Sequence, residues 1–333
     1  MTVSRLLAAD MLHRKTAALS LGLALLVLPA LATAADFTPN SMRILSDPAY
    51  LPYRGQLEGI TGYSNQRSTA DVDNYTGIMT HSYSTTANSL AQTIAYGVTD
   101  DFTLRLAEGY AWRSTSNSST GLSTSANGFS NPALGATWRV LDQRTRAFNW
   151  DIAGSFAPNV FNPKGASPTQ DGTVARGGTA TTLGTAISYE TDLLTLYAAG
   201  HASYLGTRDI LNANGTTTSY GSNWQYSLDF ETQTRLNRVF SLNAGIGRQF
   251  NRGATGINDT SLLTFQNNPG DVTHFTVALN YHITPATLVA SLEYRYDSYE
   301  DSSSYYPTKP ASNTSTQNHH ANALGLTLEY VFR

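Results

Sequence analysis

Few side chains in this sequence are spaced for catalytic chemistry. His201-Ala202-Ser203 puts an imidazole and a hydroxyl two residues apart, and in an extended segment both point to one face. Such a pair suits base-activated nucleophilic attack. His319-His320, His274 and His282 are further imidazoles that could gather around a metal. Successive strand residues face opposite ways, which parts His319 from His320, and His274 and His282 fall at opposite ends of one segment. No phosphate-binding loop, zinc spacing or paired-carboxylate glycosidase signature is present, so neither cofactor nor metal is expected. The ionisable groups recur instead at alternate positions of short segments. Arg105, Arg113, Arg139, Asp151, His201, Asp229, Glu231, His274, Glu293, Arg295, Asp297 and Glu329 all share the polar parity of their stretches. The chemistry this suggests is the lining of an aqueous path.

The segments that must position them are amphipathic strands. Trp224, Tyr226, Leu228 and Phe230 alternate with Gln225, Ser227, Asp229 and Glu231; Leu288, Ala290, Leu292, Tyr294 and Tyr296 alternate with Val289, Ser291, Glu293, Arg295 and Asp297. Period-two alternation puts a row of large apolar groups on one face and polar or small groups on the other. Twelve such strands are predicted, at 55–65, 88–98, 102–113, 131–141, 147–157, 179–190, 193–205, 222–233, 238–250, 271–282, 286–299 and 318–332. Their connections alternate between short turns and long loops near 66–87, 114–130, 158–178, 206–221, 251–270 and 300–317, rich in Ser, Thr, Asn and Gly. Glu108 falls on the apolar parity between Leu106 and Tyr110, and a β-bulge that shifts its register is expected there.

Composition agrees. The chain has no cysteine, yet 19 Tyr, 12 Phe and 4 Trp. Half-apolar strands in lipid give this modest hydropathy with many aromatics. A net charge of −3 argues against a nucleic-acid partner. Residues 1–34 read as a signal peptide: Arg5, Arg14 and Lys15, an apolar run from Ala17 to Leu31, then Ala32-Thr33-Ala34. Residues 35–54 contain three prolines and read as a periplasmic leader, with 55–333 forming the barrel.

The C-terminal stretch Gly325-Leu-Thr-Leu-Glu-Tyr330-Val-Phe332 resembles the terminal strand signal of bacterial outer-membrane barrels, with Arg333 one residue past the usual terminal aromatic. Gly325, Tyr330 and Phe332 are the assembly-signal residues that this resemblance implies. The segment Gly128-Phe-Ser-Asn-Pro-Ala-Leu-Gly-Ala-Thr-Trp-Arg-Val140 resembles a recurring stretch in the family named for the MetA pathway of phenol degradation. That resemblance implies a porin-like barrel and fixes no substrate. His201 and Ser203 are also similar in spacing to the pair in outer-membrane phospholipase A, where an Asn places the imidazole; that resemblance implies Asn212 or Asn214 as the third member. The Asn-Gly that follows the Ser in that family is Tyr204-Leu205 here, and the parity of Leu194 and Leu196 turns the pair inward, away from lipid.

The expected fold class is therefore all-β: a closed antiparallel transmembrane β-barrel of about 12 strands, with short periplasmic turns and long extracellular loops in the outer membrane. The expected function is a non-enzymatic, porin-like channel passing small solutes, aromatic or hydrophobic compounds among them, through a narrow charged lumen. Outer-membrane lipid, lipopolysaccharide, the barrel-assembly machinery and a small-molecule solute are its expected partners. The alternatives are a barrel that acts through its surface loops as adhesin or receptor, and a phospholipase-like hydrolase. Arg105, Arg113 and Arg139 are expected to oppose Asp229, Glu231, Glu293, Asp297 and Glu329 across the lumen, giving mild cation preference.

Overall fold

Alternating strands leave their backbone N–H and C=O groups directed sideways, and in lipid only a sheet that closes on itself satisfies them all. The computed structural model describes residues 45–74, 78–259, 261–284 and 287–332, and it shows this closure. The signal peptide, the first part of the leader and Arg333 lie outside the described residues. In chain order the first strands are β1 (Leu57–Asn74), β2 (Met79–Gly97), β3 (Phe102–Asn117), β4 (Ser123–Phe129), β5 (Ala133–Leu141) and β6 (Asn149–Ala157). Then come β7 (Gly172–Thr173), β8 (Ala180–Glu190), β9 (Leu194–Leu205), β10 (Arg208–Leu211), β11 (Thr217–Tyr220) and β12 (Asn223–Arg235). The rest are β13 (Phe240–Asn251), β14 (Ala254–Asn258), β15 (Leu263–Asn268), β16 (Val272–Thr284), β17 (Leu288–Tyr299), β18 (Ser302–Tyr305) and β19 (Thr314–Phe332).

Twelve of these form the barrel: β1, β2, β3, β5, β6, β8, β9, β12, β13, β16, β17 and β19, each antiparallel to the next, with β19 returning to β1. The closing seam runs from Leu57↔Phe332 to Asn74↔Thr314. Leu134, Leu183, Phe230 and Leu326 on its outer face are 59%, 66%, 58% and 57% exposed, an apolar belt that only lipid can cover. Aromatic pairs mark both rims of the belt: Phe240 with Tyr281 on the turn side, and Tyr204 with Trp224 and Tyr226 on the loop side. At the seam Tyr330 lies flat across Gly59, where a Cβ would sit 2.4 Å from the ring, and its ring edge meets Phe332 at 5.2 Å.

Three expectations are corrected. The predicted loop at 66–87 is largely strand: a mostly polar stretch extends β1 to Asn74 and a Ser- and Thr-rich one starts β2 at Met79, above the membrane, where apolar alternation is not needed. Part of the predicted 114–130 loop is strand too, in the end of β3 and in β4. β3 itself carries no bulge at Glu108, because β2 and β3 pair without interruption from Tyr83↔Asn117 to Gly97↔Thr103; the register shifts by one only on its other side, where Ala107↔Ala133 gives way to Tyr110↔Phe129 and the extra residue belongs to the β4–β5 connection. Glu108 instead faces outward opposite Gln92, whose amide oxygen accepts a 2.5 Å hydrogen bond from Thr61. Within paired strands, register shifts lie between Thr69 and Asp71 against β19, beside Asn318 with its φ of 50°, and also at Val72/Asp73, Arg139/Leu141 and His282/Thr284.

The loop side continues upward as a collar. β10, β11, β14, β15 and β18 pair in turn and join the top of β19, while β4 pairs with β3 and, in parallel, with β7. Lys164 bridges to Leu211 and its backbone bonds Thr173, so the 158–178 loop links β7 to β10 as part of this wall. Replacing Phe332 or Tyr330 by Ala should lower the heat-modifiable, folded fraction in the membrane severalfold more than Glu329→Ala does. Equal yields from the three variants would show that the outer row of the closing strand carries no assembly signal.

Candidate functional site

A polar lumen open at both ends would fill with water; here its turn-side end is filled by chain. Residues 45–53 run inside the barrel ahead of β1, with Leu45, Ala49 and Leu51 at 0%, 4% and 2% exposure. Leu45 and Tyr50 pack on Val289 of β17 and Val331 of β19. The wall holds this segment by polar contacts from five strands. Arg139 (β5) donates to the Ala49 carbonyl at 2.6 Å, and Thr195 (β9) donates to Asp47 at 2.6 Å. Gln233 (β12) donates to the Ser46 hydroxyl and Asn243 (β13) to the Ser46 carbonyl, at 3.1 and 3.0 Å. The Ser46 N–H donates to Glu329 (β19) at 2.9 Å. Burial pushes the Asp47 carboxyl above its ordinary range, against the opposing pull of Thr195, the Ala49 N–H, Arg235 and Arg139. The leader read from the sequence as periplasmic thus has its described part inside the lumen.

The residues chosen by parity do point inward, but many are already paired. Arg139 and Asp151 form a buried two-pronged ion pair at 2.8 and 3.0 Å. Arg139 is therefore no free charge on a basic wall. Arg295 neutralises Asp297 along its own strand at 2.7 Å, and Gln66 reaches the same carboxylate from β1. Asp229 meets His274 at 3.2 Å, two strands away, and also accepts from Ser227. Glu231 accepts from Asn243. Arg113 and Glu293 remain exposed, and Arg105 keeps a buried Nε without a partner among the described residues. Glu58 of β1 reaches the carboxyl of Glu329 beside Arg105. Of the assembly-signal residues, Tyr330 and Phe332 face outward while Gly325 sits on the inner parity against Glu293.

The other imidazoles are not brought together. Ser203 shares a 2.8 Å hydrogen bond with Thr182, and His201 lies over Gly184. Asn212 donates to Thr216 and Thr218, and Asn214 accepts from Thr216, so neither orients His201. His282 contacts Ser241 at 2.9 Å, His320 contacts Thr69 at 3.2 Å, and His319 stacks on Tyr299 at 3.7 Å. Sequence reading missed the neutral contributors Thr195, Gln233, Asn243 and Asn280. They occupy the inner parity like the charged residues, and that parity was the available signal.

No family model matches the chain, and no curated protein matches it in sequence. Solved structures do. The COG4313 outer membrane channel from Pseudomonas putida F1 superposes with a TM-score of 0.55 at 15% identity, over 89% of this chain and 100% of that one. The fold is that of an outer-membrane β-barrel. The transport unit of the autotransporter AIDA-I from Escherichia coli superposes with a TM-score of 0.51 at 13% identity, over 92% and 97% of the two chains. Breaking the buried ion pair tests the site's packing. Arg139→Met should destabilise the folded barrel by about 3–5 kcal/mol, and adding Asp151→Leu should recover most of that loss. The check is denaturant unfolding followed by heat-modifiable migration; a single variant as stable as the parent would contradict the pairing.

Proposed function

We propose that the chain is an outer-membrane channel for small solutes, and that the leader segment is its displaceable plug. The carrying observation is a polar, charged lumen filled at one end by a short non-strand segment rather than by the wall itself. Its resemblance along residues 128–140 to the family named for phenol degradation favours aromatic or hydrophobic compounds among the solutes. The fold shared with an outer membrane channel is compatible with this reading.

Magnitudes favour a plug that can leave. Fixing residues 45–52 costs about 1–2 kcal/mol per residue in conformational entropy. The five wall hydrogen bonds contribute about 0.5–1.5 kcal/mol each, and burial of Leu45, Tyr50 and Leu51 about 1.5–3 kcal/mol each. Taken at their midpoints the two sides nearly cancel, so the seated and displaced states lie within a few kcal/mol of each other.

Once the plug is displaced, the inner charges meet solute. With Arg139 and Asp297 neutralised locally and Glu329 engaged by Glu58 and Ser46, the groups left to set selectivity are Arg105 and Arg113 on one side and Glu231 and Glu293 on the other, with Asp229 contributing in part beside His274. Low-dielectric walls let such charges act across the pore. Deleting residues 45–52 should raise single-channel conductance severalfold in planar bilayers. In that background Asp229→Asn with Glu231→Gln should move the reversal potential toward anions, and Arg105→Gln should move it toward cations. An unchanged conductance on deletion would overturn the plug reading. A reversal potential unmoved by either change would remove these residues from the path.

A further inference from the structure

The collar holds a second site, distinct from the lumen and its plug. Register carries the inner parity of β1 upward through Asn74↔Thr314, Thr314↔Ser304 and Ser304↔Asn267. It continues through Phe265↔Gly256 to Gly256↔Tyr220. These residues therefore line the inside of the extracellular vestibule. A cavity of about 390 Å³ opens there, within the range of small-ligand pockets.

Its shape comes from one glycine. A Cβ at Gly256 would sit 2.2 Å from Phe265 Cζ, so the Phe265 ring lies flat on the sheet and is only 7% exposed. Tyr220 meets that ring edge-on at 5.6 Å, and Tyr306 tilts over it at 5.2 Å. Arg208 stacks on Tyr220 at 4.8 Å and fixes its plane. Around this aromatic floor stand hydroxyls and amides together with Leu263, and none of the described lining residues carries a carboxylate, ammonium, guanidinium or imidazole. Asn258 spends its amide oxygen on Ser261 and Asn267 accepts from Ser304; among the described residues neither amide nitrogen has a hydrogen-bond acceptor.

We infer that this cavity binds a neutral saccharide of one or two rings. The apolar C–H face of a sugar suits an aromatic floor, and its hydroxyls suit uncharged amides and hydroxyls that both donate and accept. A charged ligand would find no counter-ion among the lining residues, and a hydrocarbon would leave the rim of amides and hydroxyls unpaired. The inference holds whether or not the lumen conducts.

Saturation-transfer NMR on the full chain in detergent micelles tests it, with maltose and cellobiose as neutral probes, gluconate as the charged one and phenol as the aromatic one. The expected result is saturable transfer to a neutral disaccharide, not displaced by gluconate or phenol. Phe265→Ala and Asn267→Asp should each weaken it about tenfold or more. Asn267→Asp removes the donor without changing side-chain shape, and heat-modifiable migration confirms that each variant is folded. Absence of transfer to either disaccharide, displacement of it by phenol, or parent-like affinity in folded Asn267→Asp would each overturn the assignment.

Discussion

Every structural choice in this chain follows from the pairing of β19 with β1. Seventeen residue pairs, from Leu57↔Phe332 to Asn74↔Thr314, close the sheet, and without them two strands of backbone N–H and C=O would face lipid with no partner. An unpaired polar group there costs several kcal/mol. Closure also fixes which parity is outside. Once Leu326, Leu328 and Phe332 must meet lipid, Gly325, Thr327 and Glu329 must meet the lumen, and the register passes the same choice to every neighbour.

A closed ring of twelve strands creates the opposite problem inside. Its inner face is polar, and polar groups away from bulk water need partners. The barrel meets that need partly with its own cross-strand pairs, such as Arg139 with Asp151 and Asn280 with Ser241 and Asn243. It meets the rest with the leader, whose Ser46, Asp47 and Ala49 supply groups that the wall addresses from five strands. One segment thus satisfies the lumen and obstructs it. Above the membrane the requirement relaxes, and the wall there carries Ser, Thr and Asn on both faces.

Much of the architecture was legible because lipid imposes a strict alternation. Trp224 to Phe230 and Leu324 to Phe332 announce their outward faces directly. The upper half of the β1–β2 hairpin was not legible, because Ser and Thr there sit in water on both sides and no longer alternate. Glu108 misled for a related reason: an acidic residue on the outer parity suggested a bulge, whereas the strand keeps its register and sets Glu108 beside Gln92. The inner parity of the charged residues was readable, but their pairing was not. Whether Asp229 is free depends on His274, which lies 45 residues away in sequence and two strands away in space. The leader's place was hidden too, since Ser46, Asp47 and Ala49 show no period and gain meaning only from the wall around them.

The most direct measurement uses the absence of native cysteines. Asp47→Cys with Thr195→Cys places two thiols at a contact that is a 2.6 Å hydrogen bond in the parent chain. A short, reducible thiol-to-thiol cross-linker is applied to the folded barrel in liposomes, and uptake of a small neutral solute is followed before linking, after linking and after reduction. A displaceable leader predicts efficient linking, a fall of uptake to the empty-liposome level, and recovery on reduction. Efficient linking with uptake unchanged would mean that solute does not pass where the leader sits, and no linking at all would mean that the leader does not sit there.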